Sequence, residues 1–271
     1  MALHKDGFNP LGRIPSNRFR LVSATLEGRK AVVTGASSGI GEATAFAFAD
    51  AGATVALGAR RKDRLEDLAK RIGAEGGTAH AFEVDVGDEA AARSFIEGAA
   101  EQMGGLDILV NNAGVMLLGP VEGGDTDEWR QMINVNVLGL LYCTQAALPL
   151  IRDSGGGNIV NISSVAGRVA AMGAGVYNFT KFGVVGFSEA LRQEAMHSGI
   201  RVTVVEPGFV ETELQGHNKN PVVVEAIEKM REQTGEVLQA EDIAAAIHYV
   251  VSQPQRVNIG EMLIRPTGQQ R

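Results

Sequence analysis

Cysteine is almost absent from this chain. Cys143 is the only one in 271 residues, which excludes an internal disulfide and a cysteine-based metal cluster and fits a reducing, cytoplasmic setting. The 5 histidines are scattered without ligand spacing, so no metal is expected. An excess of positive charge is missing as well: 25 Lys and Arg stand against 32 Asp and Glu, a formal net charge of -7. A nucleic-acid surface normally carries a basic stripe, so that partner class is excluded. No apolar run approaches the length of a membrane span, and no Pro- or Ser-rich linker divides the sequence. A soluble single domain over 29–271 is expected. Residues 1–28 hold Lys5, Arg13, Arg18 and Arg20 without the continuous apolar stretch of a secretory signal, and read as a mobile or surface-laid arm.

What the chain does have is glycine, 34 residues, and a hydrophobic content of 45%. Apolar stretches begin near residues 31, 54, 79, 107, 158, 202 and 261, with longer amphipathic stretches between them. Such alternation predicts an α/β fold, a doubly wound parallel sheet of about seven strands with helices on both faces. In such a sheet a ligand binds beyond the carboxyl ends of the strands, where the strand order reverses. Gly35, Asn111, Ser164 and Pro207 each come directly after one of these strands.

Tyr177 and Lys181 are four residues apart in a stretch that reads as helix, which puts both side chains on one face within mutual reach. A neighbouring ammonium favours a phenolate, so the pairing is expected to lower the tyrosine pKa toward the range useful for proton transfer. The same spacing also arises from a half-buried aromatic beside a solvated cation. Ser164 ends an apolar run read as a buried strand, and its hydroxyl is placed to hold a substrate oxygen.

Near the start, the strand Lys-Ala-Val-Val-Thr runs directly into Gly35-Ala-Ser37-Ser38-Gly39-Ile40-Gly41 and an alanine-rich helix. Gly35 permits the tight turn, Gly39 close approach to a pyrophosphate, and Gly41 close helix packing, with the helix N-terminus favouring phosphate. The interval is one residue longer than the usual dinucleotide fingerprint.

With these segments together, the chain over 28 to about 268 resembles the short-chain dehydrogenase/reductase family, a single Rossmann-type domain. Thr34–Gly41 is similar to its cofactor loop, and Asn111-Asn112-Ala113-Gly114 to the signature that stabilises the central sheet beside the adenosine. Asn136, Ser164, Tyr177 and Lys181 match the family's four catalytic positions, and Pro207-Gly208-Phe-Val210-Glu-Thr212 the stretch that touches nicotinamide. The resemblance implies that Lys181 also holds the nicotinamide ribose beside Tyr177, and that Asn136 holds a water linking Lys181 to solvent. Asp85-Val86 is similar to the adenine contact. The segment 114–122 and the C-terminal Glu-Met-Leu-Ile-Arg-Pro-Thr-Gly-Gln resemble reductases of the clavulanate dehydrogenase type from actinobacteria.

An acidic residue after the second strand would bind an unphosphorylated ribose and repel a 2′-phosphate, but this position is Ala59, and Arg60, Arg61 and Lys62 come next. NADP(H) is therefore favoured over NAD(H), with Arg60 on the phosphate and Arg61 as a second contact. Met116, Leu117, Leu118, Met172 and Phe209 suggest an apolar substrate pocket open to aldehydes, ketones, steroids or quinones. The polar segment 211–234, which holds Gly216 and Pro221, reads as a substrate lid. Arg168 reads as a surface charge in a turn and His217 as a polar loop residue. Apolar residues on several faces of helices 125–150 and 174–197 suggest self-association, and the family implies a tetramer or dimer. A non-catalytic NADP(H) sensor or scaffold is the other class of function the same fold allows, and nucleotide-sugar chemistry would call for a longer substrate domain.

Overall fold

The computed structural model describes residues 25–270; the N-terminal arm expected over 1–28 lies almost wholly outside the described residues. Seven strands form one parallel sheet in the order β3-β2-β1-β4-β5-β6-β7. They are β1 (Lys30–Thr34), β2 (Thr54–Ala59), β3 (Thr78–Glu83), β4 (Ile108–Asn111), β5 (Gly157–Ile162), β6 (Ile200–Pro207) and β7 (Glu261–Ile264). Central strands covered on both faces need apolar side chains throughout, and β4, β5 and β6 are buried along their whole lengths. The edges differ: β3 and β7 mix exposed with half-buried residues.

Alternation along β1 divides the core. Ala31 and Val33 point into one cluster with Phe48 of helix α1 (Gly39–Asp50), Leu65, Leu68 and Ile72 of α2 (Lys62–Ala74), and Ile243 and Ile247 of α8 (Ala240–Val251). Val32 points the other way, toward Phe95 and Ile96 of α3 (Glu89–Met103), Cys143 and Ala147 of α5 (Leu140–Asp153) and Leu191 of α6 (Gly175–Ala195). The sheet is thus covered on both sides, as the alternation predicts.

Local signals fix the helix ends. Asp88 caps α3 through Ala91 N–H, and Gly104 closes it in the left-handed region at φ 72°. Gln239 and Asp242 form a reciprocal capping box at α8. The predicted helix 125–150 is α4 (Thr126–Ile133), a π-helical turn (Asn134–Gly139) and α5 in one continuous run. Gly139 lies within that turn where a Cβ would press on Val86 at 2.8 Å. This run corrects one expectation, because Thr126–Asp153 is long and apolar enough, by length and composition, to cross a membrane. Part of its apolar surface is packed inside the protein: Cys143, Ala146, Ala147 and Ile151 are buried in the sheet's second cluster, while Leu138, Leu141, Leu148 and Leu150 are half-buried. On α6, Phe179 and Phe182 are exposed, the apolar surface behind the expectation of self-association.

Candidate functional site

The sheet order reverses between β1 and β4, and the ends of these strands are locked to each other. Thr34 Oγ1 accepts hydrogen bonds from the Asn112 and Ala113 N–H groups, both at 3.0 Å. The Asn112 side-chain amide donates back to the carbonyls of Thr34 at 2.9 Å and Gly35 at 3.3 Å. Gly35 holds φ 66°, and a Cβ there would meet Ala113 Cα at 2.8 Å; on Gly41 it would collide with the Gly35 carbonyl and the Asn112 amide. The glycine loop therefore lies flat over the strand ends, with the N-terminus of α1 behind it, a cradle that suits a pyrophosphate. Asn112 lines this cradle while its amide braces the loop.

Behind it a buried polar ladder crosses the sheet. Asn111 Nδ2 donates to Thr144 Oγ1 and Asn161 Oδ1, both at 2.9 Å. Asn161 Nδ2 donates to Ser188 Oγ at 2.8 Å, and the Ser188 hydroxyl to the Val184 carbonyl at 2.6 Å. These bonds tie β4 and β5 to α5 and α6 beneath the site. Thr144, Asn161 and Ser188 carry no signal in sequence beyond being polar residues in apolar stretches.

Tyr177 and Lys181 do share one face of α6, with Lys181 Nζ 5.8 Å from the Tyr177 ring centroid. Burial governs both. It pushes the Tyr177 phenol up to about 12, a hydrogen bond with Ser164 drawing it partly back, and pulls the Lys181 ammonium down to about 8. This reverses the direction expected for Tyr177. The reason is desolvation: Tyr177 is 6% exposed, and the ammonium donates to the Ile162 carbonyl at 2.9 Å. Ser164 sits just past β5, accepting from Ala166 N–H at 3.1 Å.

Asn136, in the π-helical turn, is buried with its amide committed to the backbone of Val115. It accepts from Val115 N–H at 2.8 Å and donates to the Val115 carbonyl at 2.9 Å and to Thr180 Oγ1 at 3.3 Å. That arrangement shapes the strip after Gly114, on which the half-buried Met116, Leu117 and Leu118 pack against Tyr177 and Met132. Met172 is fully exposed.

The segment expected as a lid is more regular than its polarity suggests. It holds a 3-10 turn (Glu213–His217) and helix α7 (Pro221–Thr234), which Asn220 caps with Pro221 at its first position. Buried Asn218 pins it to the apolar strip, accepting from Leu118 N–H at 2.7 Å and donating to the Met116 carbonyl at 3.1 Å. Arg168 is a second correction: Nε and Nη2 bind the two carboxylate oxygens of fully buried Glu206 at 2.7 and 2.8 Å, and Nη2 also pairs with Glu261. No local pattern announces this, because Glu206 and Glu261 come from β6 and β7.

Arg60 is exposed and its side chain has no hydrogen bond or ion pair among the described residues. Arg61 turns toward the glycine loop, Nε and Nη2 donating to Ser37 Oγ at 3.1 and 2.9 Å and Nη2 to Ser38 Oγ at 2.7 Å. A cavity of about 300 Å³ connects these groups. Gly35, Ser37, Ser38, Gly39, Ile40, Arg60, Arg61, Asp85, Val86, Asn112, Ala113, Gly114, Ser164, Tyr177, Lys181, Pro207, Gly208, Val210 and Thr212 line it, whereas Gly41 and Asn136 stand behind its wall. Glu213, Gln215 and His217 also line it. For His217, which the sequence marks only as a loop residue, burial and the nearby Arg60 and Arg61 lower the pKa.

Known proteins resemble this chain in sequence and in fold. A family profile described as short chain dehydrogenase matches residues 29–222. The chain is 40% identical over 240 residues to an uncharacterized oxidoreductase of Staphylococcus saprophyticus, covering 88% of this chain and 96% of that protein. It superposes on a serine dehydrogenase complexed with NADP+ with a TM-score of 0.82 and 32% identity, over 89% of this chain and 96% of that one. For a 7α-hydroxysteroid dehydrogenase complexed with NADH and 7-oxo glycochenodeoxycholic acid the TM-score is 0.85 at 27% identity, over 93% and 99%.

Proposed function

Since the chain belongs to the short-chain dehydrogenase family of oxidoreductases, we propose that it transfers a hydride between NADP(H) and a carbonyl or alcohol, with Tyr177 as the proton donor and acceptor. One observation carries this reading: the glycine cradle, two arginines and the Ser164–Tyr177–Lys181 group open into one cavity. The residues fit the cofactor. Gly35 and Gly41 let the loop pack directly on Asn112 and Ala113, where a Cβ on either would collide, so that Gly35, Ser37, Ser38 and Gly39 line the cavity at the start of α1, and the Arg61 guanidinium with the Ser37 and Ser38 hydroxyls offers the donor set of a phosphate monoester. The NADP+ of the serine dehydrogenase structure supports the phosphorylated form, although the steroid dehydrogenase holds NADH.

The nicotinamide supplies or takes the hydride when bound. During reduction the neutral Tyr177 hydroxyl gives its proton to the substrate oxygen, which Ser164 positions, and the developing phenolate is stabilised by the Lys181 ammonium. Reduction thus adds a hydride to carbon and a proton to oxygen, leaving an alcohol. Asn136 holds the Val115 backbone and so shapes the wall against which substrate lies. Half-buried Met116, Leu117 and Leu118 suit a substrate with apolar surface.

Two measurements test the reading. Fluorescence titration is expected to show NADPH binding more tightly than NADH, with Arg61→Ala weakening NADPH by about tenfold and NADH by little; equal affinities in the wild type would remove the NADP(H) assignment. The second is pH dependence. The Lys181 pKa is depressed to about 8, so the ammonium is present below that pH and lost as pH rises through it, whereas Tyr177 keeps its proton until about 12. The kcat/KM for NADPH is therefore expected to fall above pH 8 or so. Lys181→Arg, which stays charged, should carry the fall to higher pH; a profile unmoved by that change would take the alkaline limb away from Lys181.

A further inference from the structure

Arg61 is not idle. While Nε and Nη2 rest on the glycine-loop serines, Nη1 binds Oε2 of Glu213 at 2.6 Å, and Oε1 of the same carboxylate binds Arg64 Nη1 at 2.6 Å. Glu213 belongs to neither the sheet nor the glycine loop. It is the first residue of the 3-10 turn in the lid, directly after Thr212. The carboxylate lies on Arg61 alongside two serine hydroxyls, and such a surrounding is what a dianionic phosphate monoester also demands. Two anions cannot share it, because like charges a few ångströms apart repel and compete for the same N–H groups.

We propose that Glu213 is a built-in competitor for the 2′-phosphate of the cofactor, a lid carboxylate that occupies Arg61 until a phosphorylated dinucleotide displaces it. The inference rests on the NADP(H) reading above and deepens it by naming a residue that sets cofactor discrimination from the lid side. An unphosphorylated dinucleotide has nothing to place on Arg61 and leaves the Glu213 contact intact. A phosphorylated one must break it, so the lid is freed from Arg61 and Arg64 only by the phosphorylated cofactor. Glu213 therefore narrows the preference for NADPH that Arg61 alone would confer. Its ionisation is secure, since hydrogen bonds from Arg61 and Arg64 hold the acid down to about 2. The energy at stake is modest, because Glu213, Arg61 and Arg64 are 50%, 41% and 45% exposed.

The test is a set of titrations with NADPH, NADH and adenosine 2′-monophosphate on the wild type, Glu213→Gln and Arg61→Ala. Glutamine keeps the size of the side chain and removes the charge. Glu213→Gln is expected to bind NADPH and the monophosphate roughly three- to tenfold more tightly, with NADH changed less than about twofold. Equal tightening of all three ligands would mark a general loosening of the lid and overturn the competitor, as would unchanged or weaker NADPH binding. If Arg61→Ala fails to weaken NADPH, the phosphate is not held there and the competitor falls, whereas the NADP(H) reading itself falls only if the wild type binds NADPH and NADH equally. If Arg61→Ala behaves as expected while Glu213→Gln does nothing, only the competitor is lost.

Discussion

Tyr177→Phe is expected to bind NADPH as the wild type does and to turn over carbonyl substrates about a thousandfold more slowly. The substitution removes one oxygen from a ring that stays packed against Met132 and Val115, so the fold and the cofactor cradle should be unaffected. What disappears is the phenolic hydroxyl, the proposed proton donor, of a residue that lines the cavity together with Ser164 and Lys181. At neutral pH this donor is fully protonated, its pKa raised to about 12, which suits it to give a proton in the reducing direction. In the oxidising direction it must first lose that proton, and the Lys181 ammonium is the cation positioned to stabilise the phenolate. A panel of aldehydes and ketones with NADPH oxidation as the signal provides the readout. If the wild type binds NADPH and turns over nothing while Tyr177→Phe is indistinguishable from it, the weight moves to an NADP(H)-binding sensor or scaffold. Retention of full activity by Tyr177→Phe would remove the tyrosine from the chemistry outright.

The largest expected loss of stability lies elsewhere. Glu206 is fully buried, and the side chain that compensates its carboxylate most directly is Arg168, with two hydrogen bonds in a fork geometry. Arg168→Met should strand the carboxylate in the interior and cost about 3 kcal/mol, at the lower end of the range for breaking a buried pair because Arg168 itself is 37% exposed. For a chain of this size that corresponds to a fall in Tm of roughly 6–12 °C. The double variant Arg168→Met/Glu206→Gln should recover part of the loss, since no uncompensated charge remains. A thermal melt of Arg168→Met within a degree of the wild type would show that the pair is energetically neutral. The pair also has a positional consequence. Arg168 comes just after the turn that begins at Ser164, and Glu206 precedes Pro207 and Gly208, so the fork fastens the serine loop to the end of the neighbouring strand β6.

All seven strands are legible in the sequence, because apolar runs of strand length bounded by glycine and polar turns leave few other readings. The meeting of Tyr177 and Lys181 on one face of α6 is legible for a similar reason: residues four apart on a helix meet wherever the helix goes. Contacts between distant segments are not. Glu213 lies 152 residues from Arg61 and Glu206 lies 38 from Arg168, and only the sheet order brings them together. The direction of the Tyr177 shift is hidden on the same account, since charge proximity can be counted along a helix whereas burial depends on the whole fold. Thr144, Asn161 and Ser188 escape because a polar residue in an apolar run looks the same whether its partner is water or another side chain.

The π-helical turn at Asn134–Gly139 sets a limit on how this chain can vary in length. Each residue added to a helix rotates the remainder of that helix by about 100°, and a π turn holds one residue more than an α-helical turn. Met132 and Trp129 before it face the cluster around Tyr177, whereas Cys143, Ala146 and Ala147 after it face the sheet. The segment is in effect two helices spliced out of phase, each in register with a different layer. Deleting a single residue there would restore an uninterrupted α-helix, which could keep Asn136 on Val115 or the later residues on the sheet, but not both. Substitutions along this stretch can be absorbed one side chain at a time; a change of length cannot.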